Sequence, residues 1–363
     1  MMERVESYIS SFLQDYQDYK TSWNYEDGCV LVGAIRLYEA TQKEAYRKFV
    51  LSYLDRRVEP DGTIPSFSVS QYSIDNINAG KALFFGLKET GEEKYRKAIE
   101  FHMERLKGHP RCKCGNFWHK EVYPNQIWLD GLYMAQPFYM AYEKEFDHYA
   151  HLSDITSQFQ NVRKYLYDSS KGLYYHGFDE SRQQPWCDPQ TGLSKNFWLR
   201  AMGWYLMALV DCIELCSEEL YEHYRVLVDI LREAITGLLK YQDPETGLFY
   251  QVIDHPEVDG NYLETSGSAM VACSILKGVR LGALDEKYRE TGIRIFESLV
   301  QRELRETDGT LHLCDICRVA GLGPGEKRDG SIAYYLSEEI CMDDSKGVGP
   351  FFMACAEYVR AKG

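Results

Sequence analysis

Asp130 stands in the middle of N-Q-I-W-L-D-G-L-Y-M-A-Q-P, residues 125–137, a run that is otherwise almost wholly apolar. A carboxylate is rarely buried without a partner. Burial raises a carboxyl pKa, whereas a helix N-terminus or a nearby arginine lowers it. A raised pKa keeps a protonated acid available near neutral pH, as general-acid catalysis requires. The adjacent Gly131 lacks a side chain, which admits either a ligand beside the acid or a close helix–helix contact. A second carboxylate, Asp75 in Y-S-I-D-N-I-N, has two readings. It can cap a helix N-terminus through its side chain, or it can work with Asp130.

Cationic and aromatic residues surround these acids in the sequence. Arg200 lies in N-F-W-L-R-A-M-G-W with Trp198 and Trp204, either stacked structurally or offering its fork to a carboxylate. Lys120 precedes Asp130 by ten residues and could add a second positive charge. His176, in L-Y-Y-H-G-F-D-E-S-R, could orient a substrate hydroxyl, although a lone loop histidine is more often structural. No G-x-S-x-G elbow, P-loop, dinucleotide fingerprint or H-E-x-x-H occurs, so nucleophile triads and phosphate-cofactor chemistry have no support.

The elements that must position these residues are helical. Apolar residues recur at helical spacing and predict twelve helices, at about 2–19, 24–41, 44–57, 76–90, 94–107, 129–143, 147–167, 197–215, 218–240, 265–282, 285–303 and 347–361. Between some of them lie glycine-plus-aromatic or apolar stretches, at 61–67, 114–120, 171–178, 246–252 and 308–313, each a small β-ribbon or an extended loop. Repeated outer helix–loop–inner helix units predict an all-α fold. Six such hairpins close into an (α/α)6 barrel, and the irregular spacing argues against an open solenoid. One domain over 1–363 is expected, since no linker composition divides the chain.

On this scheme Trp23 and Tyr25, Asp75, Trp128 and Asp130, Trp198 with Arg200 and Trp204, Ser266–Ser268, and Gly347–Pro350 all fall at N-terminal ends of alternate helices. If those helices form the inner ring, the six ends surround one mouth, rimmed by loops carrying His119, Lys120 and His176.

The net charge of −14 argues against a nucleic-acid or anionic-membrane partner, which need basic surfaces. It leaves room for a small anionic ligand held by a few basic residues. No signal peptide is read at the N-terminus and no run suits a membrane span. Eleven scattered cysteines suit a reducing cytoplasm. Cys112 and Cys114 with Cys314 and Cys317 have the composition of a four-thiolate zinc site. Their separation of about 200 residues favours reduced thiols and no metal.

Several of these segments carry a family resemblance. F-W-H-K-E-V-Y-P-N-Q-I-W-L-D-G-L-Y-M-A (117–135), Y-S-I-D-N-I-N-A-G-K-A-L-F (72–84), L-Y-Y-H-G-F-D-E-S-R-Q-Q-P-W-C-D-P-Q-T-G (173–192), N-F-W-L-R-A-M-G-W-Y-L-M-A-L-V-D (196–211), S-G-S-A-M (266–270) and R-D-G-S-I-A-Y-Y-L-S-E (328–338) resemble the unsaturated rhamnogalacturonyl hydrolases of glycoside hydrolase family 105. The unsaturated glucuronyl hydrolases of family 88 are their relatives. The resemblance implies an (α/α)6 barrel acting without metal or organic cofactor on a small anionic unsaturated oligosaccharide, late in pectin breakdown. It implies that Asp130 protonates the vinyl-ether double bond and that Asp75 helps hold substrate and water. It places His176, Lys120, His119, Trp128, Trp198, Arg200 and Trp204 in the sugar-binding surroundings, with Trp23 and Tyr25 matching more loosely. Arg200 and Lys120 are expected to neutralise the substrate carboxylate, and a cytoplasmic monomer is expected. The rival readings are a glucuronyl hydrolase on glycosaminoglycan fragments, an inverting glycosidase using Asp75 and Asp130, a sugar epimerase, and a non-catalytic sugar-binding protein.

Overall fold

The computed structural model describes residues 1–216 and 220–363. Its helices, in chain order, are α1 (Met2–Gln14), α2 (Tyr25–Thr41), α3 (Glu44–Arg57), α4 (Asp75–Asn78), α5 (Lys81–Thr90), α6 (Glu93–Lys107), α7 (Leu129–Phe146), α8 (Leu152–Leu166), α9 (Leu199–Leu215), α10 (Tyr221–Leu238), α11 (Thr265–Arg280), α12 (Arg289–Arg302), α13 (Ile332–Ser337) and α14 (Ser345–Lys362).

Burial separates two classes. Every residue of α11 from Thr265 to Val279 is buried, and α9 is buried from Leu199 to Ile213. A helix buried all round belongs inside. In α10 only a stripe is covered, through Leu227, Leu231, Ala234 and Leu238, at the spacing of one helical face. The buried class forms a closed ring. In order, α2, α5, α7, α9, α11 and α14 each pack on the next, and α14 packs back on α2. Outer helices lie against them, α3 on α2, α6 on α5, α8 on α7, α10 on α9 and α12 on α11. Tyr8 and Phe12 of α1 meet Phe351 and Phe352 of α14. The fold is an (α/α)6 barrel. Among the described residues no helix is long and apolar enough to cross a membrane.

Four two-stranded ribbons decorate the ring. The important one pairs β1 (Gln126–Trp128) with β4 (Gly177–Asp179), Trp128 opposite Gly177. Gly177 is needed there, because a Cβ would sit 2.6 Å from Leu322 Cδ1 and 3.1 Å from Trp128 Cδ1. The others are β2 (Tyr167–Asp168) with β3 (Leu173–Tyr174), β5 (Leu304–Thr307) with β6 (Thr310–Leu313), and β7 (Ile316–Cys317) with β8 (Ile340–Cys341). Asp308 and Gly309 turn the β5–β6 hairpin with φ of 51° and 79°, as a two-residue primed turn requires. Thus 171–178 and 308–313 contribute to ribbons, 114–120 and 246–252 make only isolated bridges, and 61–67 is a loop.

Several helix boundaries differ from the sequence reading. The first helix stops at Gln14 rather than residue 19, because Tyr16 and Tyr19 turn away to hydrogen-bond Asp27. The helix expected over 76–90 is two pieces. Its backbone switches to i→i+3 bonds at Gly80, Ala82 and Leu83, where Phe138 and His102 press so closely that a Cβ on Gly80 would clash. The helix expected over 147–167 begins at Leu152, after His148 and Tyr149 turn with positive φ. The segment expected at 218–240 starts at Tyr221 and ends in a short 3₁₀ turn, residues 218 and 219 lying outside the described residues. A 3₁₀ turn also opens the segment expected at 285–303. Helix α13 has no counterpart in the sequence reading.

Candidate active site

The β1–β4 ribbon delivers Asp130 and His176 to each other. Trp128 caps α7 in extended conformation, so Asp130 falls in the first helical turn. Across the ribbon, the His176 carbonyl accepts from Leu129 N–H at 3.0 Å. His176 Nε2 then lies 3.3 Å from Asp130 Oδ2. His176 is fully buried, and its Nδ1 lies 2.7 Å from the Tyr335 hydroxyl. His176 Nε2 and Asp130 Oδ2 are both buried, and among the described residues neither has a hydrogen-bond partner.

Asp130 opens onto a cavity of about 290 Å³ whose lining also includes Trp23, Tyr25, Asp75, His119, Lys120 and Trp128. Asp75 starts α4 and is fixed by Lys120, whose Nζ is 2.5 Å from Oδ2. His119 Nε2 is 3.6 Å from the other oxygen. An isolated bridge between Ser73 and Lys120 holds the two loops in register. Burial alone would raise the Asp75 pKa, but Lys120 and His119 outweigh it and hold the carboxyl below its ordinary range. Burial likewise disfavours the Lys120 ammonium, and Asp75 reverses this, raising its pKa. The pair is therefore ionised. His119 is pushed down to about 4, mainly by burial, and is a neutral imidazole at neutral pH.

One wall is a cluster of near-parallel rings, His119 and Tyr123 themselves 6.2 Å apart. His119 stacks on Trp128 at 4.3 Å, and Trp128 stacks on Tyr123 at 4.8 Å. Trp128 Nε1 donates to Gln126 at 3.0 Å. Such a cluster fixes ring orientation at low entropic cost and presents an apolar face for a sugar. Trp23 donates to the Asn76 carbonyl at 3.1 Å, tying α2 to α4.

The remaining expected residues lie elsewhere. Arg200 is 1% exposed. Its Nε donates to Ser266 Oγ at 2.7 Å, and its other bonds go to Glu264 and the Cys317 carbonyl. Burial works against its charge, yet Glu264 holds the guanidinium pKa above its ordinary range. Arg200 thus ties α9 to the N-terminus of α11 and to β7, and its fork is not offered to the cavity. Trp204 is buried against Tyr133, centroids 4.6 Å apart. Trp198 donates to Gln251 and packs on His176 at 4.8 Å, a wall behind the site. Gly131 has a packing role rather than making room for a ligand, since a Cβ there would lie 2.7 Å from Ile74 Cδ1 and 3.3 Å from His119 Nδ1. Gly347 and Gly349 serve close packing against Ile316 and Cys29. Of the six expected inner-helix starts, those at α2, at α7 and at α4, the piece leading into α5, line the cavity. The four paired cysteines form no ion-holding group among the described residues.

Tyr335, Tyr123 and Arg328 escaped the sequence reading, as did the paired Lys20 and Glu26 on the cavity lining. Tyr335 holds His176, Tyr123 completes the ring cluster, and Arg328 lines the cavity with only a 4.0 Å approach to Glu338. Arg328 and Tyr335 lie in R-D-G-S-I-A-Y-Y-L-S-E, whose matching residues were the available signal.

Comparison with known proteins adds to this geometry. A family model described as Glycosyl Hydrolase Family 88 matches residues 1–362. A solved structure of a family 105 glycoside hydrolase from C. acetobutylicum superposes with a TM-score of 0.93 at 44% identity, covering 98% of this chain and 99% of that one. A protein of Agrobacterium fabrum is 37% identical over 231 residues, 62% of this chain and 97% of its own length. The unsaturated rhamnogalacturonyl hydrolase YesR of Bacillus subtilis is 28% identical over 309 residues, 84% of this chain and 83% of its own.

Proposed function

The chain belongs to glycosyl hydrolase family 88, is a glycoside hydrolase of the family 105 type, and we propose that it removes a 4,5-unsaturated galacturonic acid from the non-reducing end of rhamnogalacturonan fragments. The observation that carries this reading is the Asp130 carboxyl, facing the cavity with its Oδ2 turned to His176. The Tyr335 hydroxyl contacts Nδ1 from behind and sets the ring so that its Nε2 stands 3.3 Å from the buried Oδ2. That leaves Oδ1 as the oxygen through which Asp130 acts on substrate.

In the proposed reaction Asp130 gives its proton to C4 of the vinyl ether, and positive charge develops at C5 beside the ring oxygen. Water adds at C5 and returns a proton to the Asp130 carboxylate. The resulting hemiketal opens, leaving a keto-uronate and freeing the second sugar. Asp75, ionised and paired with Lys120, is suited to accept hydrogen bonds from substrate hydroxyls and the water. The sugar lies against the Trp128 cluster. Lys120 and Arg328 supply the positive charge that faces the substrate carboxylate in an otherwise acidic protein.

A lyase-generated unsaturated rhamnogalacturonan disaccharide tests the reading. Loss of the conjugated chromophore with release of rhamnose supports it. Loss only on a chondroitin or heparin disaccharide transfers the assignment to glucuronyl substrates, and cleavage of saturated substrates instead contradicts it.

A further inference from the structure

A second cavity, about 470 Å³ and larger than the one at Asp130, opens at the other end of the barrel. It lies between the later turns of α2, α7 and α9 and most of the length of α5, with Arg96 of α6 at its edge. On α7, Asp130 and the cavity residue Ala141 are separated by about 16 Å at 1.5 Å per residue. The walls are largely apolar, with Val32, Ile35, Phe84, Phe85, Pro137 and Phe146 contributing.

Lys81 reaches into this space. Its Nζ stands 3.4 Å over the Tyr133 ring centroid and 3.5 Å from the Tyr133 carbonyl oxygen. Among the described residues no carboxylate oxygen lies within 4.0 Å of it. The neighbouring ions satisfy one another. Arg36 and Lys277 share Asp211 and Glu214. Arg280 binds Glu214 and Glu357, and Arg360 binds Glu357 and Glu39. Four cations therefore meet four carboxylates. Of the other charged residues on the lining, Arg96 approaches Glu93, and Lys88 and Glu145 are exposed at the rim, so Lys81 is the half-buried ammonium without a carboxylate contact among the described residues.

We propose that this cavity binds a small apolar monocarboxylate, an aromatic or medium-chain aliphatic acid, with its carboxylate on Lys81 Nζ and its hydrocarbon body against Phe84 and Phe146. One half-buried ammonium without a carboxylate calls for one anionic group. A polyhydroxylated sugar acid would leave hydroxyls unpaired against phenylalanine and proline, at a desolvation cost. An ammonium desolvated beside an aromatic face is compensated by a directly bonded anion. Burial already holds the Lys81 pKa down to about 8, despite Asp211, Cys29 and Cys212 favouring its charged form and with Arg36 opposing it.

The test is calorimetric titration of the full chain with octanoate and 4-phenylbutyrate, using 4-phenylbutanol as the neutral control. Wild type is expected to bind both acids better than the alcohol. Lys81→Met is expected to weaken the acids roughly ten- to hundredfold, the range of a charge-assisted hydrogen bond, and to leave the alcohol unaffected. Ala141→Phe, which fills the cavity and keeps the ammonium, is expected to weaken all three ligands. Near-UV circular dichroism establishes that each variant is folded, and should Lys81→Met fail to fold, Ala141→Phe carries the test alone. Equal affinity for acid and alcohol, undiminished acid binding in either folded variant, or no binding by wild type at millimolar ligand overturns the proposal.

Discussion

Asp130 and His176 bring together two buried atoms that have no hydrogen-bond partner among the described residues, Oδ2 and Nε2, 3.3 Å apart at the edge of the cavity. Their closeness is a backbone consequence. Trp128 and Gly177 are cross-strand partners, Leu129 N–H bonds the His176 carbonyl, and the helical turn that begins at Leu129 carries Asp130 to the imidazole. Tyr335 then fixes the histidine from behind.

Tyr335→Phe is expected to lower kcat more than it raises KM. It leaves His176 Nδ1 buried and unpaired, at a stability cost of about 1–3 kcal/mol. Steady-state kinetics with a pH profile checks this. A purely structural tyrosine would lower the melting temperature and leave the profile unmoved.

Lys120→Met is expected to move the acid limb of kcat/KM to higher pH. Lys120 and His119 now hold the Asp75 pKa below its ordinary value, against burial. A carboxylate with a depressed pKa contributes stability above its unfolded value and loses it as pH falls through the folded one. Removing the lysine lets burial dominate, so Asp75 protonates at a higher pH and both activity and stability fail sooner on acidification. An acid limb that stays where it is would detach Asp75 from the reaction.

Acidification should also destabilise the fold through its buried histidines. His102, His109 and His119 are each held down to about 4, chiefly by burial. Between about 6.5, the unfolded value, and 4 the unfolded chain binds more protons at these positions. Stability therefore falls with decreasing pH, by at most about 1.4 kcal/mol per pH unit for each histidine. Urea unfolding at several pH values measures the slope, and a flat dependence over this range contradicts neutral buried rings.

Gly131→Ala is expected to destabilise by about 1–3 kcal/mol through overpacking, although alanine is the better helix former. The added methyl would meet Ile74 Cδ1 at 2.7 Å. Ile74→Val removes that atom, so the double variant should recover part of the loss. A stabilised Gly131→Ala would show that the glycine is not held by packing.

Much of the barrel is legible in the sequence because helices α9, α11 and α10 announce themselves by being apolar all round or on one stripe. Less visible is where a helix path tightens, as at Gly80, because His102 and Phe138 impose it from other hairpins. Asp130 is conspicuous as a charge in an apolar run. Arg200 is equally conspicuous and points elsewhere. Its partners Glu264 and Cys317 are 64 and 117 residues away, and no local pattern distinguishes a buried structural fork from one awaiting substrate. Its substitution by methionine should cost about 3–5 kcal/mol by removing the counter-charge of buried Glu264, which keeps its hydrogen bonds from Ser266, Gly267 and Cys317. Tyr335 is harder still to read, since 159 residues separate it from His176.

The most direct test follows chromophore loss on the lyase-generated disaccharide with wild type and Asp130→Asn. Wild type is expected to consume the double bond and release rhamnose. In the variant kcat falls by about 10²–10⁴, the contribution of a general acid, with the melting temperature nearly unchanged. Asp130→Asn turning over at the wild-type rate would contradict Asp130 as the proton donor.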